Sequence, residues 1–139
     1  MEPRNSEGIY SLLYVEDDPM ARDMINQAIS LKFRNVRLFS AENGAIGLEL
    51  YKEHRPDIVL TDIKMPVMDG LTMAAEIREL QPEAIITVVS AYSDTDQFQA
   101  RADEIGFNHC IRKPVDYRNL FATIEECIAE LRPATQHPA

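Results

Sequence analysis

Five short apolar runs alternate with five amphipathic segments along the chain, and this alternation limits the folds that the sequence can adopt. The apolar runs predict strands at residues 12–15, 36–39, 58–61, 84–89 and 109–111. The third and fourth runs are nearly continuous in Val, Ile and Leu, which is typical of strands covered on both faces. Strands alternating with helices predict an α/β fold with a parallel sheet and helices on both of its faces.

The segments between the strands have helical periodicity and recognisable ends. They predict helices that start near residue 19, cover 43–53, start near 69–70, and cover 93–105 and 116–131. Asp18 is placed as the N-cap of the first helix with Pro19 at its first position, and Gly106 follows the end of the fourth. Gly47 inside the second helix indicates close packing. The first and third helices are expected to face the core with Met20, Met24, Ile25, Ala28 and Ile29, and with Leu71, Ala74, Ala75, Ile77 and Leu80.

Length and composition fit one ordinary globular domain. The chain has 139 residues, of which 45% are hydrophobic and 27% are charged. No apolar run approaches the roughly 20 residues that span a bilayer, and the polar start of the chain lacks the apolar stretch of a signal peptide. We therefore expect a cytosolic protein with a flexible N-terminus at residues 1–8, a folded domain at 9–132 and a flexible tail or linker stub at 133–139.

The formal net charge of −9 disfavours direct binding to nucleic acid, because an acidic surface repels a phosphate backbone. Cys110 and Cys127 are too far apart for a CxxC motif, and both are expected to be reduced thiols of the core type. The three histidines are scattered, unlike the closely spaced ligands of a zinc site.

Charged side chains follow three of the predicted strands. Glu16 and Asp17 come directly after the first strand, Asp62 closes the third, and Lys113 follows the fifth. Ligands of open α/β sheets bind beyond the carboxyl ends of the strands, so these charges are expected to meet in one cleft. Close carboxylates resist joint ionisation, and a bound Mg²⁺ would relieve their repulsion. The cluster therefore predicts a site for a divalent metal and a phosphoryl group.

An aspartate in such a site can attack phosphorus and form an aspartyl phosphate. A metal on one side and the Lys113 ammonium on the other would neutralise the charge as phosphoryl moves across. Ser90 ends the fourth strand and is placed to donate its hydroxyl to a phosphoryl oxygen. Taken singly, each residue has an ordinary role, since an acid after a strand is often an N-cap and a lone Lys is usually solvated. The prediction depends on the whole set.

The order of these motifs resembles the receiver domain of bacterial response regulators. The motifs are Glu16-Asp17, Asp62, Ser90-Ala91 and Lys113-Pro114, after the first, third, fourth and fifth strands. The stretches over residues 14–19 and 62–70 look especially typical, and the resemblance covers residues 10–132. It implies a flavodoxin-like, doubly wound five-stranded parallel sheet of strand order 2-1-3-4-5 with five helices.

The resemblance also implies a role for each residue of the cluster. Asp62 looks like the phosphoacceptor, and Lys113 resembles the lysine that pairs with it, with a cis bond to Pro114. The metal would be Mg²⁺. Its implied ligands are Glu16, Asp17, Asp62 and the backbone carbonyl of Lys64. Ser90 resembles the hydroxyl that moves toward the phosphoryl group, while Lys64 and Tyr92 flank the site where dephosphorylation is tuned.

The implied partners are a histidine kinase or histidine phosphotransfer protein as phosphoryl donor, and a downstream protein or fused output domain. No membrane insertion is expected. Signalling would use the face formed by the fourth helix, fifth strand and fifth helix. The chain would be a signalling domain that catalyses only its own Mg²⁺-dependent phosphorylation and dephosphorylation.

The chain departs from the family pattern at Cys110, where members usually carry Tyr or Phe. A thiol moves little apolar bulk, so the signal would leave by another route, through His109 or Phe107, or by a modified switch. Two rival interpretations stay open. One is a receiver-like interaction module with little or no phosphorylation. The other is a small Mg²⁺-dependent hydrolase, which Lys64 disfavours because it stands where such enzymes need an acid.

Overall fold

The sheet has five parallel strands in the order β2-β1-β3-β4-β5. A computed structural model describes residues 9–91 and 95–131, with no side chains described for residues 95–97. The strands are β1 Tyr10–Val15, β2 Val36–Ala41, β3 Ile58–Asp62, β4 Ile85–Ser90 and β5 His109–Arg112. The helices are α1 Pro19–Lys32, α2 Gly44–His54, α3 Gly70–Leu80, α4 Thr95–Ile105 and α5 Tyr117–Leu131. The predicted fold class and strand order are confirmed.

Hydrophobic clusters cover both faces of the sheet, because successive residues of a strand point to opposite faces. Leu12 of β1 packs with α1 and α5, through residues such as Ile29 and Ile124. Its neighbour Leu13 packs on the other face, in a cluster that includes Met73 of α3. The near-continuous apolar runs of β3 and β4 are buried throughout, as expected for strands with helices on both sides.

Four helices begin at side chains that accept hydrogen bonds from the first turn, among the helix starts that the structure describes. Before α5, Asp116 accepts from the Arg118 N–H at 2.9 Å. Asp18 accepts from the Met20 N–H at 3.1 Å, and Asn43 and Asp69 cap α2 and α3 in the same way. Each such cap stabilises the fold by about 0.5–2 kcal/mol. These caps fix the start of α1 and α3, the two helices that follow the ends of β1 and β3.

Glycine is required at two positions, within α2 by close packing and directly after α4 by the backbone conformation. A Cβ on Gly47 would lie 2.7 Å from the Met73 sulfur and 3.0 Å from Val15, which confirms the predicted close packing. Gly106 has φ +78° directly after α4, as predicted for a helix-ending glycine.

Several side chains lie elsewhere than the sequence predicted. Met20 and Met24 are 72% and 54% exposed, since α1 buries only Ile25 and Ile29. Leu80 is 41% exposed because it stands at the end of α3. Cys110 is exposed on the edge strand β5, so the prediction of a core-type thiol holds for Cys127 alone.

Other predictions fall outside the described part of the chain. The segments 1–8 and 133–139 lie there, as do Arg132, Tyr92 and the expected start of α4 at Ser93. Among residues 9–91 and 95–131, none of the helices combines the length and apolar character needed to cross a bilayer. The cytosolic location stays a prediction.

Candidate metal and phosphoryl site

A cleft of about 1030 Å³ lies at the carboxyl ends of the strands. Glu16, Asp17, Asp62, Lys64 and Lys113 all line it, although they are spread over nearly 100 positions of the sequence. The parallel sheet explains this convergence, because every strand carries the residue after it to the same edge. The structure thus brings together the charged residues that the sequence singled out.

Three carboxylates meet inside the cleft. One oxygen from each of Glu16, Asp17 and Asp62 lies within 4.8 Å of the other two. Glu16 and Asp62 are only 6% and 5% exposed, whereas Asp17 faces solvent. Hard oxygen donors with one side open to water are the ligand set that Mg²⁺ prefers. The residues present therefore fit a magnesium ion.

Asp62 is held at both carboxylate oxygens. Oδ1 accepts a hydrogen bond from the Ile63 N–H at 2.7 Å, and Oδ2 forms an ion pair with Lys113 Nζ at 2.7 Å. The Lys113 side chain is 37% exposed, so the pair stands at the boundary between the interior and the cleft. These two contacts fix the orientation of the carboxylate and offset its charge.

Glu16 is the carboxylate most affected by its surroundings. Its Oε2 accepts a hydrogen bond from the Asp18 N–H at 3.0 Å, and the Tyr14 hydroxyl lies 3.5 Å from Oε1. Burial raises the pKa of Glu16 to about 7, and the nearby Asp62 carboxylate adds to the rise, while the Asp18 N–H and the Lys113 ammonium oppose it. The Glu16 carboxyl group therefore titrates near neutral pH when no cation is bound.

The backbone next to Asp62 leaves no room for a side chain at Gly70. A Cβ at that position would lie 1.9 Å from the Asp62 carbonyl oxygen, and Gly70 also donates its N–H to the Ile63 carbonyl at 2.7 Å. The start of α3 is thus packed directly against the end of β3. Sequence reasoning placed Gly70 only at a helix start, and the close approach is not visible without the fold.

The loop between β3 and α3 contains a strained residue. Val67 has φ +69°, which β-branched side chains rarely adopt, and its side chain is 82% exposed. The Met68 N–H donates to the Pro66 carbonyl at 2.7 Å, which closes a tight three-residue turn around Val67. After this turn the chain returns to the core, where Met65 and Met68 pack against the cluster that contains Met73.

Ser90 does not line the cleft. It is buried at the end of β4, and its hydroxyl lies 3.5 Å from the exposed Cys110 thiol on the neighbouring strand. Its carbonyl accepts the Lys113 N–H at 2.8 Å, which ties the end of β4 to the lysine. The Lys113-Pro114 bond is cis, as the resemblance implied.

One wall of the cleft is apolar, and sequence reasoning missed it. It is formed by Ala21, Met24 and Ile25 of α1 and by Pro114, Val115 and Tyr117 after β5. Tyr14 also lines the cleft, and its burial raises the pKa of its hydroxyl, which stays protonated. The helical periodicity of α1 predicted that Met24 faces the core, and this prediction did not include its exposure in the cleft beside the acidic residues.

Comparison with known sequences decides the family. A sequence profile described as the response regulator receiver domain matches residues 12–125. The chain belongs to this family. The receiver domain is 31% identical over 124 residues to the transcriptional regulatory protein GlrR of Escherichia coli (strain K12), a match covering 89% of this chain and 27% of GlrR. The chain thus spans about a quarter of the length of that relative.

Solved structures give the same result for the fold. The receiver domain superposes with a TM-score of 0.80 on the N-terminal domain of an uncharacterised protein (WS1339) from Wolinella succinogenes, at 32% identity, covering 87% of this chain and 95% of that one. It is similar, at 27% identity and a TM-score of 0.79, to the REC domain of the response regulator AraT from Geobacillus stearothermophilus, with coverages of 88% and 95%. The chain is therefore a receiver domain of two-component response regulators.

Proposed function

We propose that this receiver domain accepts a phosphoryl group on Asp62 from the phosphohistidine of a histidine kinase or histidine phosphotransfer protein. The observation that supports this most directly is the cluster of Glu16, Asp17 and Asp62 within 4.8 Å, with Lys113 2.7 Å from Asp62. An aspartate surrounded in this way has the charge compensation that phosphoryl transfer requires.

In the transfer, an Asp62 carboxylate oxygen forms a bond to phosphorus as the phosphorus–nitrogen bond to histidine breaks. The histidine nitrogen keeps the electron pair of that bond, and the product is an aspartyl phosphate. The Ile63 N–H and the Lys113 ammonium hold the carboxylate in place, and Lys113 balances charge on the incoming group. Bound Mg²⁺, held by Glu16, Asp17, Asp62 and the Lys64 carbonyl, would supply the remaining positive charge.

Phosphorylation then changes the output face. The Ser90 hydroxyl leaves Cys110 and turns toward the phosphoryl oxygens, because a charged acceptor binds a hydroxyl more strongly than a thiol does. This movement biases the face formed by α4, β5 and α5, which a downstream protein or fused output domain reads. With a thiol at position 110, we expect the change to reach that face through the backbone of β5 and through α4.

The test is incubation with acetyl phosphate and Mg²⁺, followed by intact mass measurement. The protein is expected to gain one phosphoryl group that is lost at alkaline pH, and Asp62→Asn is expected to gain none. Asp17→Asn should slow the reaction by at least about tenfold, since it removes one proposed metal ligand. Asp18→Asn is the matched control, because it removes a neighbouring carboxylate while asparagine caps α1 equally well.

The remaining outcomes separate the rivals. An unmodified wild-type mass under these conditions, and with a panel of kinases, favours the interaction module. Repeated release of phosphate from a phosphoester favours the hydrolase. An adduct that survives Asp62→Asn would show that another residue is the acceptor.

A further inference from the structure

Arg78, in the last turn of α3, joins three segments at the end of the sheet opposite the acid cluster. Its Nη1 donates to the carbonyls of Pro82 and Ala84 at 2.9 and 2.5 Å. Its Nη2 donates to the Gly106 carbonyl at 2.7 Å and to Oδ1 of Asn108 at 3.1 Å. A planar guanidinium is suited to holding several acceptors in fixed positions, which a lysine ammonium is not.

Asn108 extends this contact into the sheet. Its Oδ1 also accepts the Ile86 N–H at 2.9 Å, and its own N–H donates to the Ile86 carbonyl at 2.9 Å. The end of α4 is thereby fixed both to α3, through Arg78, and to β4, through Asn108. We call these contacts of Arg78, Gly106 and Asn108 the Arg78 clamp.

Along its length, α4 is held much less firmly. Of its described side chains, at residues 98–105, none is buried, and only Phe98, Ala102 and Ile105 are half-buried. Each of the other four helices buries at least two residues. Few buried apolar contacts mean a low local free energy of opening. The helix is thus attached strongly at one end and weakly along its body.

Gly106 directly follows the last residue of α4 and contributes its carbonyl to the clamp. It has φ +78°, and a Cβ placed on it would meet no atom within 4 Å. A residue without a side chain, in open space, can absorb a change of backbone angle at little cost. The conformation allows the helix to change direction while the Gly106 carbonyl stays on Arg78.

We propose that the Arg78 clamp is a hinge, so that α4 moves as a lever whose C-terminal end stays fixed while its N-terminal end, on the side of the sheet where the strands end, swings. Movement of α4 in response to phosphorylation of Asp62 rests on the proposed function, whereas the hinge itself does not. Arg78 is a positioning residue, since it holds the end of α4 and lies away from the reacting atoms.

Hydrogen exchange of the free protein tests the hinge. A helix end normally frays, so its last amides exchange faster than those of the middle. The clamp predicts the opposite order, with the amides of Gly106 and Asn108 slower than those of residues 99–101. Arg78→Met should speed exchange at Gly106, Asn108 and Ile86 by about tenfold to a hundredfold, the loss expected for hydrogen bonds to a charged group. Arg78→Lys should give exchange rates between those of the wild type and those of Arg78→Met. Arg101→Met changes an exposed residue within α4 and should leave the wild-type order of exchange rates unchanged.

Amide chemical shifts with and without fluoroberyllate test the lever. In the wild type, shifts are expected to change over residues 95–100 and to change little over 105–108, and Arg78→Met should remove this difference. Fluorine NMR reports separately whether fluoroberyllate binds at Asp62. If it does not bind, the proposed function fails and the exchange order alone decides the hinge. Wild-type amides at 106 and 108 that exchange as fast as those at 99–101, or shift as much as those at 95–100, overturn the proposal.

Discussion

The Lys113 ammonium lies 2.7 Å from Oδ2 of Asp62, although β4 separates the two strands that carry them. The lysine reaches across the end of β4, whose last carbonyl, that of Ser90, accepts the Lys113 N–H. The ion pair therefore joins the ends of three neighbouring strands, and it places one cation against Asp62, a member of the group of three carboxylates.

Lys113→Met is expected to change metal binding and phosphoryl transfer in opposite directions. Removing the ammonium leaves the carboxylates more negative, so the affinity for Mg²⁺ should rise by about threefold to tenfold. The rate of phosphorylation by acetyl phosphate should fall by at least about tenfold, because the charge on the incoming group is no longer balanced. Titration calorimetry and intact mass measure the two effects. Lys52→Met is the matched control, since this exposed lysine of α2 does not line the cleft. A similar loss of rate in that variant would contradict a specific role for Lys113.

Metal stabilisation should depend on pH through Glu16. Burial raises the pKa of Glu16 to about 7 in the folded protein, so folded molecules retain a proton that unfolded molecules release above about pH 4.5. The metal-free protein therefore loses stability as pH rises from about 4.5 to 7. Mg²⁺ requires the ionised carboxylate, so the increase in melting temperature on adding Mg²⁺ should be larger at pH 8 than at pH 6.

Glu16→Gln provides the comparison for this pH dependence. The variant should be more stable than the wild type at pH 8 without metal, and the effect of Mg²⁺ on its melting temperature should be small at both pH values. A variant that keeps the wild-type difference between pH 6 and pH 8 would show that another group controls it.

Val67→Asn is expected to stabilise the fold by about 0.5–1 kcal/mol. Valine at φ +69° is strained, whereas asparagine tolerates the left-handed region. Urea unfolding measures the change in the free energy of unfolding. Leu31→Asn is the control, because Leu31 is also 82% exposed but has helical backbone angles, and it should gain nothing. Equal effects of the two changes would rule out relief of backbone strain.

The two thiols should differ in reactivity. Burial raises the pKa of Cys127 to about 11, while Cys110 is exposed at the edge of the sheet. At pH 8 a disulfide reagent should modify one thiol quickly and the second only after unfolding, and Cys110→Ala should remove the fast phase. Fluoroberyllate should change the rate at Cys110 if the Ser90 hydroxyl leaves the thiol. A rate that is the same in both states would contradict that part of the switch.

The strands and the cluster of charges could be predicted because they depend on local patterns. Apolar runs such as β3 identify buried parallel strands, and parallel strands bring Glu16, Asp62 and Lys113 to one edge whatever the detailed packing. The caps at Asp18 and Asp69 also follow from local chemistry.

The features that sequence did not reveal depend on how elements pack together. The helical period of α1 includes Met24, yet the helix turns that residue toward the cleft because Ile25 and Ile29 already fill its contact with the sheet. The clamp at Arg78 joins residues 28 to 30 positions apart. The contact of Ser90 with Cys110 depends on the register between β4 and β5, which no local pattern encodes.

The order of strands also bears on synthesis of the protein. β5 pairs only with β4 and comes last among the strands, so a growing polypeptide lacks Lys113 until four-fifths of the sheet has been made. Incomplete molecules would carry Glu16 and Asp62 together without a compensating cation. A ligand that needs the Lys113 ammonium, unlike Mg²⁺, is therefore recognised only after the final strand has docked.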